Sequence, residues 1–366
     1  MLVGEKSMTA IIGWDLGGAN LKLALLEGGR ITRVIQVPCP VRQDRGKFDA
    51  ALKEALALCP ASARHAVTMT GELSDVFTDR AEGVAYLVSM MREVTGGDAV
   101  FYGGRAGFLA AEEAIAWPLD VASANWHASA TLVADHCASG IFIDIGTTTT
   151  DLIPLRAGLP ATRGYTDAER LAARELIYAG VVRTPVMAFS RLAPFAGHVQ
   201  GTAAERFATM ADVYRLTDDL PNDADPYPTP DLRGKSKQES AARLARMLGR
   251  DASEAPLEAW VELASFFAEL QLSELVEAGR ALTLREGLAA DAPVIGAGCG
   301  RFLARRLASE LHRAYRDFAE VIPCATGARA MAASCAPAVA VALLAAKIPL
   351  SPPGRGWGEG EAESRR

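Results

Sequence analysis

The chain reads as an α/β protein made of two versions of one half facing a central cleft, and three observations predict it. Two segments, Asp15-Leu-Gly-Gly-Ala-Asn-Leu-Lys-Leu and Asp144-Ile-Gly-Thr-Thr-Thr-Thr-Asp-Leu, share one pattern, and each follows an apolar run, Ile11 to Trp14 and Ile141 to Ile143. A third segment, Pro293-Val-Ile-Gly-Ala-Gly-Cys-Gly300, runs into the amphipathic stretch Arg301 to Leu307. At 366 residues, half of them hydrophobic, the chain is long enough for two domains with cores of their own.

Each repeated segment predicts a strand, a tight turn and a second strand. Small residues in the turn let backbone N–H groups approach phosphoryl oxygens, threonine hydroxyls add donors, and the acid can hold Mg²⁺. The candidates are Asp15, Gly17, Gly18, Asn20 and Lys22 in the first copy, and Asp144, Gly146, Thr147, Thr148, Thr149 and Asp151 in the second. Aligned on their acids, Gly18 matches Thr147, Ala19 matches Thr148 and Lys22 matches Asp151, so one copy carries a cation where the other carries an anion. One Asp-x-Gly-Gly would be an ordinary turn; two in matched context argue for phosphate. Gly296, Gly298 and Gly300 predict a strand-to-helix turn, a ready anion or nucleotide site that also suits plain close packing.

Between these landmarks strands and helices alternate. Leu21 to Leu26 and Ile31 to Val37 flank the hairpin signal Glu27-Gly-Gly-Arg30, and Asp49 to Leu58 has helical spacing. Ala66 to Met69 predicts a short strand delivering Thr70-Gly-Glu-Leu73 to its carboxyl end, where Glu72 is a candidate acid, base or Mg²⁺ partner. Gly107 to Trp117 and Trp126 to Asp135 look helical. Leu176 to Val186 reads as a strand ending in a turn, with Arg183 as a candidate bidentate anion ligand. Leu220 to Lys237 is a proline- and aspartate-rich loop whose Arg233, Lys235 and Lys237 could close over a diphosphate, ahead of a helix from Glu239 to Leu248.

The net charge of −6 and the pI near 5.5, without a basic stripe, argue against a nucleic-acid surface and for small-molecule chemistry. The six cysteines form no Cys-x-x-Cys pair and the histidines no metal spacing, which suits reduced thiols in the cytoplasm. No secretory signal precedes Asp15, and the alanine-rich stretch Ala330 to Ala346 is broken by Pro337, so a buried helix is expected and no membrane span. Residues 351–366 have the composition of a disordered tail.

The order of phosphate loop one, phosphate loop two and a glycine loop resembles the actin-like ATPase superfamily, with its duplicated ribonuclease H-like domains. That resemblance implies a first domain over 8–130, a second over 131–327 with a helical insertion, and a final helix at 328–347 packing back on the first.

A narrower resemblance rests on Thr68-Met-Thr-Gly-Glu-Leu73, Asp144 to Asp151, Glu175-Leu-Ile-Tyr-Ala-Gly-Val-Val-Arg-Thr-Pro185 and Arg233-Gly-Lys-Ser-Lys237. These look like a hydantoinase/oxoprolinase-related family from tetrahydromethanopterin-linked one-carbon pathways, whose methanogen members build methanofuran. The resemblance implies a transferase joining an aminomethylfuran-methyl diphosphate to the phenol of tyramine or γ-glutamyltyramine, with diphosphate released. In it Asp15 and Asp144 hold Mg²⁺, Lys22, Arg183 and Lys235 neutralise the leaving group, and Glu72 or Asp151 takes the phenol proton. The retained glycine loop keeps a different chemistry open, an ATP-dependent kinase or oxoprolinase-like ATPase. A homo-oligomer is compatible with either.

Overall fold

The computed structural model describes residues 10–39 and 45–348; the tail expected at 351–366 lies outside them. In chain order the first part holds β1 (Ile11–Leu16), β2 (Asn20–Glu27), β3 (Arg30–Pro38), α1 (Arg45–Leu56), β4 (Arg64–Met69), α2 (Arg80–Val94), β5 (Ala99–Tyr102) and β6 (Phe108–Leu109). Then come α3 (Ala111–Ala116), α4 (Pro118–Val121), α5 (Asn125–His136), β7 (Gly140–Ile145), β8 (Thr150–Arg156), β9 (Leu159–Pro160), α6 (Asp167–Ala172) and β10 (Leu176–Ile177). The rest comprises β11 (Leu192–Phe195), β12 (His198–Gly201), α7 (Met210–Leu216), α8 (Lys237–Arg246), α9 (Leu257–Glu286), β13 (Val294–Ala297), α10 (Arg301–Glu310) and β14 (Tyr315–Asp317). The short α11 (Phe318–Val321), α12 (Arg329–Ser334) and α13 (Ala336–Ala345) follow.

Two compact units emerge. Among the described residues, one contains those up to 138 with 158–160 and 318–348; the other contains 139–157 and 161–317. The first sheet runs β3-β2-β1-β4-β5-β6 and the second β10-β8-β7-β13-β14. Over five strands these are the same order with the same directions: two antiparallel pairings from the hairpin, then two parallel ones. The repeat seen in sequence is therefore a repeated ribonuclease H-like sheet. The matched loops lie at the β1–β2 and β7–β8 turns.

In the first unit, the apolar faces of β1, β2 and β4 bury Ile12, Trp14, Leu16, Leu21, Leu23 and Val67 with Phe48, Leu52, Leu87 and Val88 from α1 and α2. Gly28 and Gly29 both have positive φ, the geometry that a two-residue hairpin matching strand twist requires. The sheet's other face receives α13, which is buried along its whole length. A Cβ on Gly13 of β1 would stand 2.0 Å from the Ala338 carbonyl oxygen, so the glycine and the helix's alanines together permit that approach. The expected single helix over 328–347 is instead two, bent by 111° at Cys335, with Pro337 in the first turn of α13 where its missing N–H costs nothing. Among the described residues no single helix is long and apolar enough to cross a membrane.

Two sequence expectations change. Gly107 has a φ of 78°, and Phe108 and Leu109 pair with β5, so the helix expected from Gly107 begins only at Ala111. The strand expected over 176–186 stops after Ile177, because the following backbone bonds to a loop rather than to a ladder. The chain enters the second unit at Ser139 and leaves it after Asp317, later and earlier than the 130/131 and 327/328 boundaries read from sequence.

The second unit's core joins β7, β8 and β13 to α7, α8, α9 and α10 through Ile141, Ile143, Leu152, Tyr214, Leu244, Phe267, Leu275, Leu303 and Leu307. The 30-residue α9 ends at Gly287, which takes the left-handed conformation of a helix C-cap.

Candidate functional site

Both repeated turns place their acid at the carboxyl end of the first hairpin strand. Asp15 sits opposite Lys22, and Asp144 opposite Asp151, so the two aligned copies place their acid and its counterpart at the same cross-strand position of their hairpins.

In the first unit, Asp15 is only 3% exposed. Its Oδ2 accepts from Lys22 Nζ at 3.3 Å, while Oδ1 is buried with no hydrogen-bond partner. Thr68, at the matching position of the adjacent parallel strand β4, also has a buried hydroxyl without a partner. Buried polar atoms are rarely left so, and these two stand at paired positions of neighbouring strands. The turn closes by Gly17 N–H donating to the Asn20 carbonyl at 3.1 Å, and Gly18 packs toward the Ser74 hydroxyl. Among the described residues the amides of Gly18 and Ala19 donate to no protein acceptor. Lys22 is thus engaged first with Asp15, not simply presented to a ligand.

Glu72 is 1% exposed on the turn after β4. Its Oε1 accepts from Ser123 N at 2.9 Å and from Ser123 Oγ at 3.2 Å, and Gly83 of α2 packs on its backbone. Ser123 has a φ of 54°, and the carboxylate holds that strained turn.

The second unit carries the richer constellation. Gly146 N–H donates to the Thr149 carbonyl at 2.9 Å, closing the threonine turn. The carbonyls of Gly146, Thr147 and Thr148 are taken up by a strap formed by residues 180–183. Gly180 N–H donates to Thr148 at 3.0 Å, Val181 to Gly146 at 3.1 Å, and Val182 and Arg183 to Thr147 at 3.2 and 2.7 Å. Among the described residues the amides of Thr147, Thr148 and Thr149 donate to no protein acceptor. The turn's carbonyls are thus spent on one side, leaving its amides and hydroxyls as the donor pattern a bound anion would need. The strap brings half-buried Arg183 to that turn.

Asp144 stands beside the glycine loop: a Cβ on Gly298 would lie 2.5 Å from Asp144 Oδ1 and 2.2 Å from the Ile145 carbonyl. The space left by Gly296 is filled by the Tyr315 ring, and that left by Gly300 by Ile145 and Val181. Gly300 N–H donates to the Ile145 carbonyl at 2.8 Å. All three glycines are thus used by packing inside the unit.

Two expected participants are committed elsewhere. Asp151 accepts from Arg170 Nη2 at 2.6 Å, and Arg170 is almost fully buried. Burial pushes the Asp151 carboxyl up, with the guanidinium opposing. Lys235 donates to the Asp225 carbonyl and lies 3.6 Å from its carboxylate, while Lys237 pairs with Asp218. Fully buried Arg243 binds Asp212 at 2.8 Å and Asp231 at 3.1 Å, fixing the proline-rich segment as a pinned loop. The loop's lysines are thus ion-paired to aspartates within or beside the loop in this structure.

Thr68, Gly180, Arg170 and the Ser123 turn were missed in sequence, since each matters through a partner 19 or more residues away. The Thr68 to Leu73 and Glu175 to Pro185 segments carried a family signal without showing these roles.

Among the described residues no group of three or more His, Cys, Asp or Glu side chains could cage a metal. A divalent cation here would lean on one carboxylate with phosphate and water oxygens, as Mg²⁺ does.

A model of the hydantoinase/oxoprolinase family matches residues 64–347. The (4-{4-[2-(gamma-L-glutamylamino)ethyl]phenoxymethyl}furan-2-yl)methanamine synthase of Methanocaldococcus jannaschii is 31% identical over 242 residues, 66% of this chain and 72% of that one. The synthase of the same name from Methanococcus vannielii is 28% identical over 171 residues, 47% of this chain and 75% of that one. Among solved structures, a nucleotide-free acetone carboxylase is similar in fold, with a TM-score of 0.55 at 10% identity over 83% of this chain and 67% of that one.

Proposed function

This chain belongs to the hydantoinase/oxoprolinase family, together with the furanylmethanamine synthases it matches, and from that premise we propose that it is a transferase of methanofuran-type cofactor synthesis. It joins [5-(aminomethyl)furan-3-yl]methyl diphosphate to the phenol of tyramine or γ-glutamyltyramine. The exocyclic C–O bond to diphosphate breaks, the phenolic oxygen bonds to that carbon, and the phenol proton and diphosphate leave. The observation that carries the reading is the threonine turn with its unspent amides, in a chain whose curated relatives make an aryl ether of a furan.

A methyl carbon on an electron-rich furan carries positive charge well, so stabilising the departing diphosphate is the main task. The Thr147 to Thr149 amides and hydroxyls bind it, and Arg183 neutralises it. Asp144, or in the other unit Asp15 with its orphaned Oδ1, fits a Mg²⁺ ion, which when bound would supply further charge neutralisation. Glu72 and Asp151 already hold Ser123 and Arg170, so the weight of catalysis falls on leaving-group stabilisation.

The test incubates purified protein with Mg²⁺, the furan diphosphate and tyramine, with and without ATP, following diphosphate release and the ether by mass spectrometry. Ether without ATP is expected, and Asp144→Asn should lower its rate by orders of magnitude. ADP formation with no ether would replace this reading by a kinase or oxoprolinase-like ATPase.

A further inference from the structure

The threonine turn is held by the 180–183 strap, and the strap is itself anchored at one buried carbonyl. Two donors converge on the Ala179 oxygen: Thr150 Oγ1 at 2.7 Å and Gln271 Nε2, from the middle of α9, also at 2.7 Å. The Tyr214 hydroxyl donates to Gln271 Oε1 at 2.8 Å, which orients the amide so that its NH₂ faces the strap. Thr150, Gln271 and Tyr214 are all 0% exposed. Burial drives the Tyr214 phenol far above its ordinary range, keeping it a donor.

A glutamine is costly at this position. Its neighbours on the buried face of α9 are Ala264, Phe267, Ala268, Leu272 and Leu275, and a leucine there would need no polar partner. Fourteen residues further along α9, nearly four full turns and so on the same face, Arg285 grips the segment leading into the strap through Glu175 and, at 3.0 Å, the Ala173 carbonyl. The helix therefore holds that approach at two points, around Glu175 and at Ala179.

We propose that Gln271 is a positioning residue for the diphosphate site: by fixing the Ala179 carbonyl it sets the Gly180 to Arg183 amides, and through them the direction in which the threonine-turn amides point. This rests on the reading that the threonine turn holds the diphosphate.

The decisive variant is Gln271→Met, which keeps about the volume but offers no donor to the Ala179 oxygen and no acceptor to Tyr214. Binding of inorganic diphosphate with Mg²⁺, by titration calorimetry, should weaken about tenfold, the scale of one lost buried hydrogen bond. The KM for the furan diphosphate should rise in parallel while the KM for the phenol holds. A residue that only supports folding would lower the unfolding midpoint and the active fraction and leave both KM values alone. If Gln271→Met does not fold, Tyr214→Phe, which removes only the hydroxyl that orients the amide, carries the test with a smaller loss in the same direction. Wild-type diphosphate affinity in either folded variant overturns the proposal. Wild-type protein that binds diphosphate but forms no ether would sink the transferase reading and leave this one standing; wild-type protein that binds none would remove its premise.

Discussion

Replacing Gly180 by alanine should impair the threonine turn more than any change to the turn's own side chains. The added Cβ would stand 2.4 Å from the Thr148 nitrogen and 2.5 Å from the carbonyl carbons of Thr147 and Thr148, where ordinary contact begins near 3.4 Å. All three are backbone atoms, so no side chain can swing aside; strap and turn must separate by about 1 Å. Overpacking of this kind costs about 1–3 kcal/mol of stability. The displacement also strains four hydrogen bonds of 2.7–3.2 Å that aim the turn. A shift of about 1 Å in a binding constellation costs roughly a hundredfold in rate. Diphosphate release under saturating phenol measures the second effect, and urea unfolding the first. An alanine variant within twofold of wild type in rate, with an unchanged midpoint, would refute the claim that strap and turn act as one body.

Gly13→Ala should destabilise the first unit by at least about 1–3 kcal/mol, because its Cβ meets the Ala338 oxygen at 2.0 Å and the Ala342 nitrogen at 2.7 Å; an unaltered thermal midpoint would count against the close approach of α13. Asp151→Asn leaves Arg170 buried without its counter-charge and should cost about 3–5 kcal/mol, partly restored by adding Arg170→Met; loss of turnover with full stability would instead return Asp151 to the chemistry. His65, whose Nδ1 accepts from the Trp14 indole at 3.0 Å, has its pKa lowered from the usual 6.5 by burial, with Asp98 opposing. The unfolded chain therefore takes the proton first. Stability should be level above pH 7 and fall as the pH drops below about 6.5, a slope that His65→Gln should remove when denaturant midpoints are compared at pH 7.5 and 5.5.

The sheets were legible because their signals are local: apolar runs, the Gly28-Gly29 turn and a duplicated loop each sit within a few residues. The matched positions Lys22 and Asp151 each face the acid of their own copy, Asp15 and Asp144, because a two-stranded hairpin converts sequence offset directly into register. The strap was misread as a strand since Leu176 to Val182 is apolar enough for either, and only the distant threonine turn decides which carbonyls its amides meet. Arg170 and Arg243 were invisible for the same reason: a buried arginine is defined by carboxylates that folding brings to it. The lysines of the 220–237 loop were overvalued because charge in sequence carries no record of the aspartates that cancel it.

The helix laid across β1 has a consequence for how the molecule is made. Gly13 and Ala338 are separated by roughly three hundred residues, and the whole second unit is translated between them. At ribosomal speeds of about 5–20 residues per second, the first sheet waits on the order of half a minute with one apolar face uncovered. During that interval the second unit can complete itself, whereas the first remains a docking platform for a segment not yet synthesised. A fragment supplying α13 in trans should therefore rescue a shortened chain, and nascent-chain holdases should engage the earlier half of this protein far longer than its later one.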